Sequence, residues 1–289
     1  MRGERGFVLL LSLWATAALG GLAVVQATRV SLELKWAGRL QEKHQAWHLA
    51  WAGIQAAGQT LALDSEKQWD APKEAWGRPT KKPIPFEGGS FQVSVFDEQA
   101  QLDLNAATRE QLLRLPGFGP ACADQLLANR EKNKMVSHLA QLQALSGFDP
   151  NRLAELSPLV TVHGKKPVNL NAASKEVLVV LGLSADLSSR VVQFQRGPDG
   201  IAGTSDDNVF TDKTKVIPDL EAVFGPLLPE DQTALSGLVG SEQIGVSSSS
   251  FRVEVEGISR AHGVSKKVIA VVERGSPGNP PVIKGWRES

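Results

Sequence analysis

The sequence predicts an α+β fold, in which one long N-terminal helix packs on a small antiparallel sheet and a large all-α domain is inserted into that sheet. Three observations predict it. An uncharged apolar run at 7–28 continues into a helical stripe, with no proline before Pro72. Segments near 91–96 and 251–258 alternate apolar and polar residues as strands do, and 267–273 and 282–287 read as two further strands. Between the first of these and the rest lies a stretch, 103–242, with helical spacing and an internal repeat.

The long helix begins in the apolar run. Phe7 to Thr28 is 22 residues without a charge. As a helix it reaches about 33 Å, close to the ~30 Å hydrocarbon core of a bilayer. Arg2 and Arg5 precede it and Arg29 follows, so the positive-inside rule puts residues 1–6 in the cytoplasm and the rest outside. A secretory signal peptide is the competing reading, with Ala15, Ala17 and Ala18 as its cleavage region, but its apolar core is usually ~7–15 residues. Val30, Leu34, Ala37, Leu40, Trp47, Trp51, Ile54, Ala57 and Leu61 then form one apolar stripe. Span and stripe read as a single helix over 7–65, half in lipid and half against a soluble domain.

Composition narrows the function classes. The 289 residues carry 31 Lys+Arg and 31 Asp+Glu. That balance disfavours a polyanion binder, which needs basic excess to neutralise phosphates. The single cysteine, Cys122, excludes an internal disulfide and a multi-cysteine zinc site. It falls inside a helix, where packing is the expected role. There is no GxSxG elbow, Walker loop or HExxH, so no enzyme chemistry is expected. His44 and His48 stand four apart on the long helix without a third ligand.

After the helix, 66–102 reads as a Pro- and Gly-rich linker and the first strand, in which Phe91, Val93 and Val95 alternate with Gln92, Ser94 and Phe96. A turn at 97–100 leads to 101–104, which is expected to resume the pairing. The repeat follows: Leu102-Asp103-Leu104-Asn105-Ala106-Ala107-Thr108 recurs 66 residues later as Val168-Asn169-Leu170-Asn171-Ala172-Ala173-Ser174. Asn105 and Asn171 are placed as helix caps. The first copy runs through Leu115-Pro116-Gly117-Phe118-Gly119-Pro120 into a second helix, a helix-hairpin-helix; the second copy has a degraded turn at Gly182-Leu183-Ser184. Such hairpins bind DNA through turn amides, here Gly117 and Gly119, with Arg130, Lys132 and Lys134 assisting. They also serve as packing devices, and the balanced charge favours packing. Further helices are expected near 137–145, 151–156 and 219–238.

The loop 197–210 gathers Asp199, Thr204, Asp206 and Asp207 among glycines. Calcium takes six to eight oxygens from such groups. EF-hand spacing is absent, and a solvated acidic loop fits the residues equally well. Strand chemistry returns over 243–289, with a break at 277–281.

Two resemblances add to this. Arg2-Gly3-Glu4-Arg5-Gly6 before Phe7 resembles the leader of type IV pilins and pseudopilins. That implies cutting after Gly6 by a prepilin peptidase and methylation of the Phe7 amine. Pilins usually carry Glu five residues into the mature chain, where Leu11 stands here. A lone carboxylate in lipid is costly, so its loss suits a subunit with none ahead of it. Over 7–289 the organisation resembles the minor pseudopilin K family of type II secretion systems. The Asn105 and Asn171 repeats, 91–98 and the ending Trp286-Arg287-Glu288 also look like that family.

The resemblance implies a single-pass inner-membrane subunit with a periplasmic domain. At the pseudopilus tip it nucleates assembly with other minor pseudopilins and the secretion machinery, to support export across the outer membrane. It also implies that the 197–210 loop holds Ca2+ on Asp199, Thr204, Asp206 and Asp207. The chain then divides into a leader (1–6), the helix (7–65), linker and first strand (66–102), the inserted domain (103–242) and the closing strands (243–289). The alternative from a different class is a membrane-anchored DNA receptor using Gly117, Gly119 and Arg130.

Overall fold

The computed structural model describes residues 3–64, 66, 68–78, 80, 82–261, 263–275 and 280–288. Met1 and Arg2 of the leader lie outside them, as do residues 276–279, where most of the break at 277–281 falls.

Helix α1 spans Gly3–Ala62, about 90 Å at 1.5 Å per residue. From Leu9 to Ala37 every residue is exposed; burial starts at Glu42 and runs through Ala46, Leu49, Ala50, Ile54, Ala57 and Leu61. The predicted stripe therefore splits. Val30, Leu34 and Leu40 are exposed, while Trp47 and Trp51 pack against the core and Ile54, Ala57 and Leu61 are buried together with Ala46, Leu49, Ala50 and Gly53. Small residues hold this face because the sheet comes so close. A Cβ on Gly53 would stand 2.6 Å from Val255 Cγ1. One on Gly257 would stand 2.0 Å from the Ala46 carbonyl oxygen.

That sheet is fully antiparallel, in the order β1 (Ile84–Phe86), β2 (Gly89–Asp97), β7 (Ser250–Ser259), β8 (Ser265–Glu273), β9 (Val282–Glu288). The gap in numbering between β2 and β7 is the insertion. Phe91, Val253, Val255, Val268, Ala270 and Val272 point at α1 and form one core with Ala50, Ile54 and Ala57. Arg252, Glu254 and Glu256 alternate to the other face, where they are more exposed. Strand β1, formed from the Pro-rich linker, is an addition to the four expected strands.

The insertion is built from two modules, each closed by a two-residue parallel ladder. In the first, β3 (Leu102–Asp103) pairs with β4 (Val160–Thr161); in the second, β5 (Val168–Asn169) pairs with β6 (Ile244–Gly245). Two expectations are corrected here. The 101–104 segment pairs inside the insertion rather than with the main sheet, and the insertion is not purely helical. Between its ladder strands the first module holds α2 (Arg109–Leu113), α3 (Pro120–Glu131) and α4 (Leu153–Leu156). The second holds α5 (Lys175–Leu181), α6 (Ala185–Gln195), α7 (Val216–Phe224) and α8 (Pro229–Gly240). The stretch read as 219–238 breaks into α7 and α8 because Gly225 takes φ +78° and Pro226 and Pro229 follow. Both modules share one hydrophobic core, separate from the core under α1.

Candidate functional site

The two repeats fold alike, and their asparagines do something other than cap. The caps are Thr108 and Ser174, whose hydroxyls accept from Gln111 N and Val177 N. Asn105 and Asn171 sit three residues earlier and tie each module shut. Asn105 Nδ2 donates to the carbonyls of Val136 (2.9 Å) and Val162 (3.2 Å), and its Oδ1 accepts from Val136 N (2.9 Å). Asn171 repeats this with Phe210 O (3.0 Å), Val246 O (3.2 Å) and Phe210 N (2.8 Å). An amide side chain offers two N–H donors and an acceptor, whereas an ionised carboxylate has no donor and a hydroxyl has only one.

The hairpin forms as expected around Gly117 (φ +82°), with Gly119 as the N-cap of α3 and Pro120 as its first residue. It does not stand alone. Leu145-Ser146-Gly147-Phe148-Asp149-Pro150 repeats Leu115-Pro116-Gly117-Phe118-Gly119-Pro120 at an offset of 30 residues. Gly147 has φ +78°, Phe118 and Phe148 meet edge-to-face at 5.6 Å, and a Cβ on Gly117 would touch Arg152 Cβ at 2.8 Å. The two turns pack on each other. Arg130 is turned inward: its guanidinium donates to the carbonyls of Leu104 and Ala107. Gln195 does the same in the second module, to Leu170 and Ala173. The residue named as a phosphate contact is thus a packing strut, as is Cys122, whose thiol burial pushes up to about 11.

The 197–210 loop brings its named residues together. Carboxylate oxygens of Asp199, Asp206 and Asp207 lie within 4.8 Å of one another. Thr204 Oγ1 donates to Asp206 Oδ1 (2.7 Å) and reaches Asp207 Oδ1 (3.1 Å). Gly197, Gly200 and Gly203 all have positive φ, and a Cβ on Gly197 would strike the Asp206 carbonyl at 2.3 Å. Asp207 is buried; Asp199 and Asp206 are exposed. Thr204 and the Asp199 amide, by donating to Asp206, hold its carboxyl below the usual range. Lys73 reaches the loop and donates to the Asp207 backbone carbonyl at 2.8 Å. Three acidic side chains on a tight Gly loop form the oxygen-only donor set that suits a hard cation.

A buried polar junction, not foreseen from the sequence, joins sheet, linker and insertion. Asp97 accepts from Ser248 Oγ (2.7 Å), Asn169 Nδ2 (2.7 Å) and Gln99 N (2.8 Å). Asp70 accepts from Ser248 N (2.7 Å) and pairs with Arg274, which also reaches Asp64 at 3.3 Å. Glu74 accepts from Ala71 N (2.8 Å) and Trp76 Nε1 (3.1 Å). Burial pushes Glu74 up to about 7 and Asp97 up to about 6, and raises Asp70 as well. The bonds that tie Asp70 and Asp97 to Asn169, Ser248 and Arg274 span 72 to 204 residues of sequence, so no local pattern announces them.

A helix-hairpin-helix motif family matches residues 97–161, the strand end plus the first module. Comparison with curated proteins finds no match. Among solved structures, the chain is similar to a chain of the crystal structure of the GspK-GspI-GspJ complex from the type 2 secretion system of enterotoxigenic Escherichia coli. The two are 15% identical, the match covers 90% of this chain and 99% of that one, and the TM-score is 0.58. At that identity the likeness is one of fold: a long helix on an antiparallel sheet, interrupted by helical modules, is an architecture the two chains share.

Proposed function

We propose that this chain is a minor pseudopilin of type II secretion, of the K kind, that caps a pseudopilus and nucleates it with other minor pseudopilins. The observation that carries the reading is the division of α1. One half is apolar and exposed, long enough to cross a bilayer; the other half is locked to the sheet through Gly53 and Gly257. A helix so built is held in the inner membrane first and then packs among like helices in a filament, while the sheet and insertion stay on the periplasmic side. Leu11 leaves no carboxylate to pair with a subunit ahead, which suits the first position. The prepilin peptidase acts at Gly6–Phe7 in this reading. Arg130, bonded within its own module, gives the DNA-receptor alternative no support.

The assembly test is co-expression with the other minor pseudopilins of its own secretion system. Co-purification of the full chain with them in detergent, and lost export on its deletion, are expected. Full export without it, or purification alone, contradicts the reading.

Calcium belongs to the same proposal. Asp199, Asp206 and Asp207, with Thr204 and loop carbonyls, would hold Ca2+ and fasten the loop beside Lys73. Chelation is expected to lower the melting temperature by a few degrees, since an ion bound only to the folded state stabilises it. Asp206→Ala is expected to abolish the difference. A melting temperature unmoved by chelator refutes the site.

A further inference from the structure

A cleft of about 400 Å³ opens where the linker, the edge of β2 and both helical modules meet. Its walls include Trp76, Val95, Phe96, Pro158, Ala172 and Arg252. Nothing in the pilin-like reading uses it. Two features inside it carry unused hydrogen-bonding capacity.

The first is a stretch of open sheet edge. Strand β1 covers β2 only from Gly89 to Phe91. Beyond it, Thr80 takes both main-chain groups of Val93: its N–H donates to the carbonyl (3.3 Å) and its Oγ1 accepts from the amide (3.0 Å). Main-chain groups repeat direction every second residue of a strand, so those of Val95 point the same way, out of the sheet and along the cleft. Among the described residues no strand or loop hydrogen bond meets them.

The second is Arg252. Its guanidinium lies 4.9 Å over the Phe96 ring. Its Nε is buried and lacks a hydrogen-bond partner among the described residues: Glu254 Oε1 is 3.2 Å away but is not aligned to accept. Glu254 is shared with Lys267 at 2.8 Å, so the trio of Arg252, Glu254 and Lys267 keeps one net positive charge. A planar cation stacked on a ring, with donors to spare, is arranged for a carboxylate.

We propose that this cleft binds an extended acidic segment of another polypeptide. The segment adds to the β2 edge at Val95, as a strand does in β-augmentation, and sets a carboxylate on Arg252. The volume is in the lower part of the ~300–1,000 Å³ range of ligand pockets, enough for a few residues of peptide. The inference rests on the cleft alone and stands or falls separately from the secretion reading.

The test uses the full chain in detergent micelles and three capped pentapeptides. One is Val-Thr-Glu-Val-Thr; the second replaces Glu by Gln; the third keeps Glu but N-methylates alternate backbone amides. Binding is read by titration calorimetry, and the site by photo-cross-linking. Saturable binding of the Glu peptide is expected, with cross-links at Phe96 or Trp76. The Gln and N-methyl peptides are each expected to bind roughly tenfold more weakly, the loss that follows from one charge-assisted or one main-chain hydrogen bond. Arg252→Met, which leaves Glu254 paired with Lys267, should bring the Glu and Gln peptides to equal affinity. No saturable binding up to about 1 mM, a range that would still detect some −4 kcal/mol, overturns the proposal. So does equal binding of all three peptides, or cross-linking confined to other surfaces. The three-peptide comparison on the unmodified chain decides the matter even if Arg252→Met does not fold.

Discussion

Gly257→Val is expected to unseat the long helix from the sheet. A Cβ at Gly257 would lie 2.0 Å from the Ala46 carbonyl oxygen and 2.5 Å from the Ala50 amide nitrogen. Both are backbone atoms of α1, so no side-chain rotation relieves the clash. Helix and sheet would have to separate, exposing Phe91, Val255 and Ile54. Overpacking a well-filled interior costs ~1–3 kcal/mol and more when backbone must move, so a loss of at least about 3 kcal/mol is expected. For a chain of this size that is a fall of about 6–12 °C in Tm, measured by near-ultraviolet circular dichroism in detergent. Gly237→Ala is the matched control. It sits in α8 with open space around it and is expected to stabilise by about 0.5–1 kcal/mol. An unchanged Tm for Gly257→Val would mean that α1 is not seated on the sheet as described.

Stability is expected to fall as pH rises from 5 to 8, and Glu74→Gln is expected to remove much of the fall. Burial raises Glu74 from 4.5 to about 7 and Asp97 from 3.8 to about 6. A carboxyl with a raised folded pKa binds its proton more tightly in the native state. Its contribution is fully present below the unfolded value and is lost as pH climbs through the folded one. The window therefore runs from about 4 to about 7.5 for the two groups together. For Glu74 alone the shift corresponds to roughly 2–3 kcal/mol. Gln keeps an oxygen for the Ala71 amide and the Trp76 indole and cannot ionise. Glu273, held low by Lys165 and Lys284, changes its contribution only at more acid pH and leaves the window clear. Denaturant midpoints at pH 5 and 8 measure the effect. A flat profile in the unmodified chain, or a Gln variant as pH-sensitive as its parent, contradicts it.

The fold was legible where residues act through near neighbours. Alternation in Phe91-Gln92-Val93-Ser94-Val95 and in Phe251-Arg252-Val253-Glu254-Val255 marks strands with one face on a core, and both belong to the sheet. The α+β class, with helical modules set between β2 and β7, follows from those strands and the repeat. The helix stripe is legible in the sequence and its second half packs on the sheet, whereas Val30, Leu34 and Leu40 face no element of their own chain. Asn105 and Asn171 looked like caps because cap and clamp use the same residue type; only the distances to Val136 and Phe210 separate them. Leu145–Pro150 is a second hairpin turn whose 30-residue offset lies inside the longer 66-residue repeat and shares only Leu, Gly, Phe and Pro with the first. The junction of Asp70, Asp97, Asn169, Ser248 and Arg274 was not legible at all, because each bond closes a long loop.

The most direct test of the central claim is mass spectrometry of the mature N-terminus, taken from the chain expressed together with the prepilin peptidase and minor pseudopilins proposed as its partners. The account predicts a chain that starts at Phe7 with a methylated amine and retains the whole apolar half of α1. A start within residues 18–28, which would mean that a signal peptidase had removed that half, contradicts it.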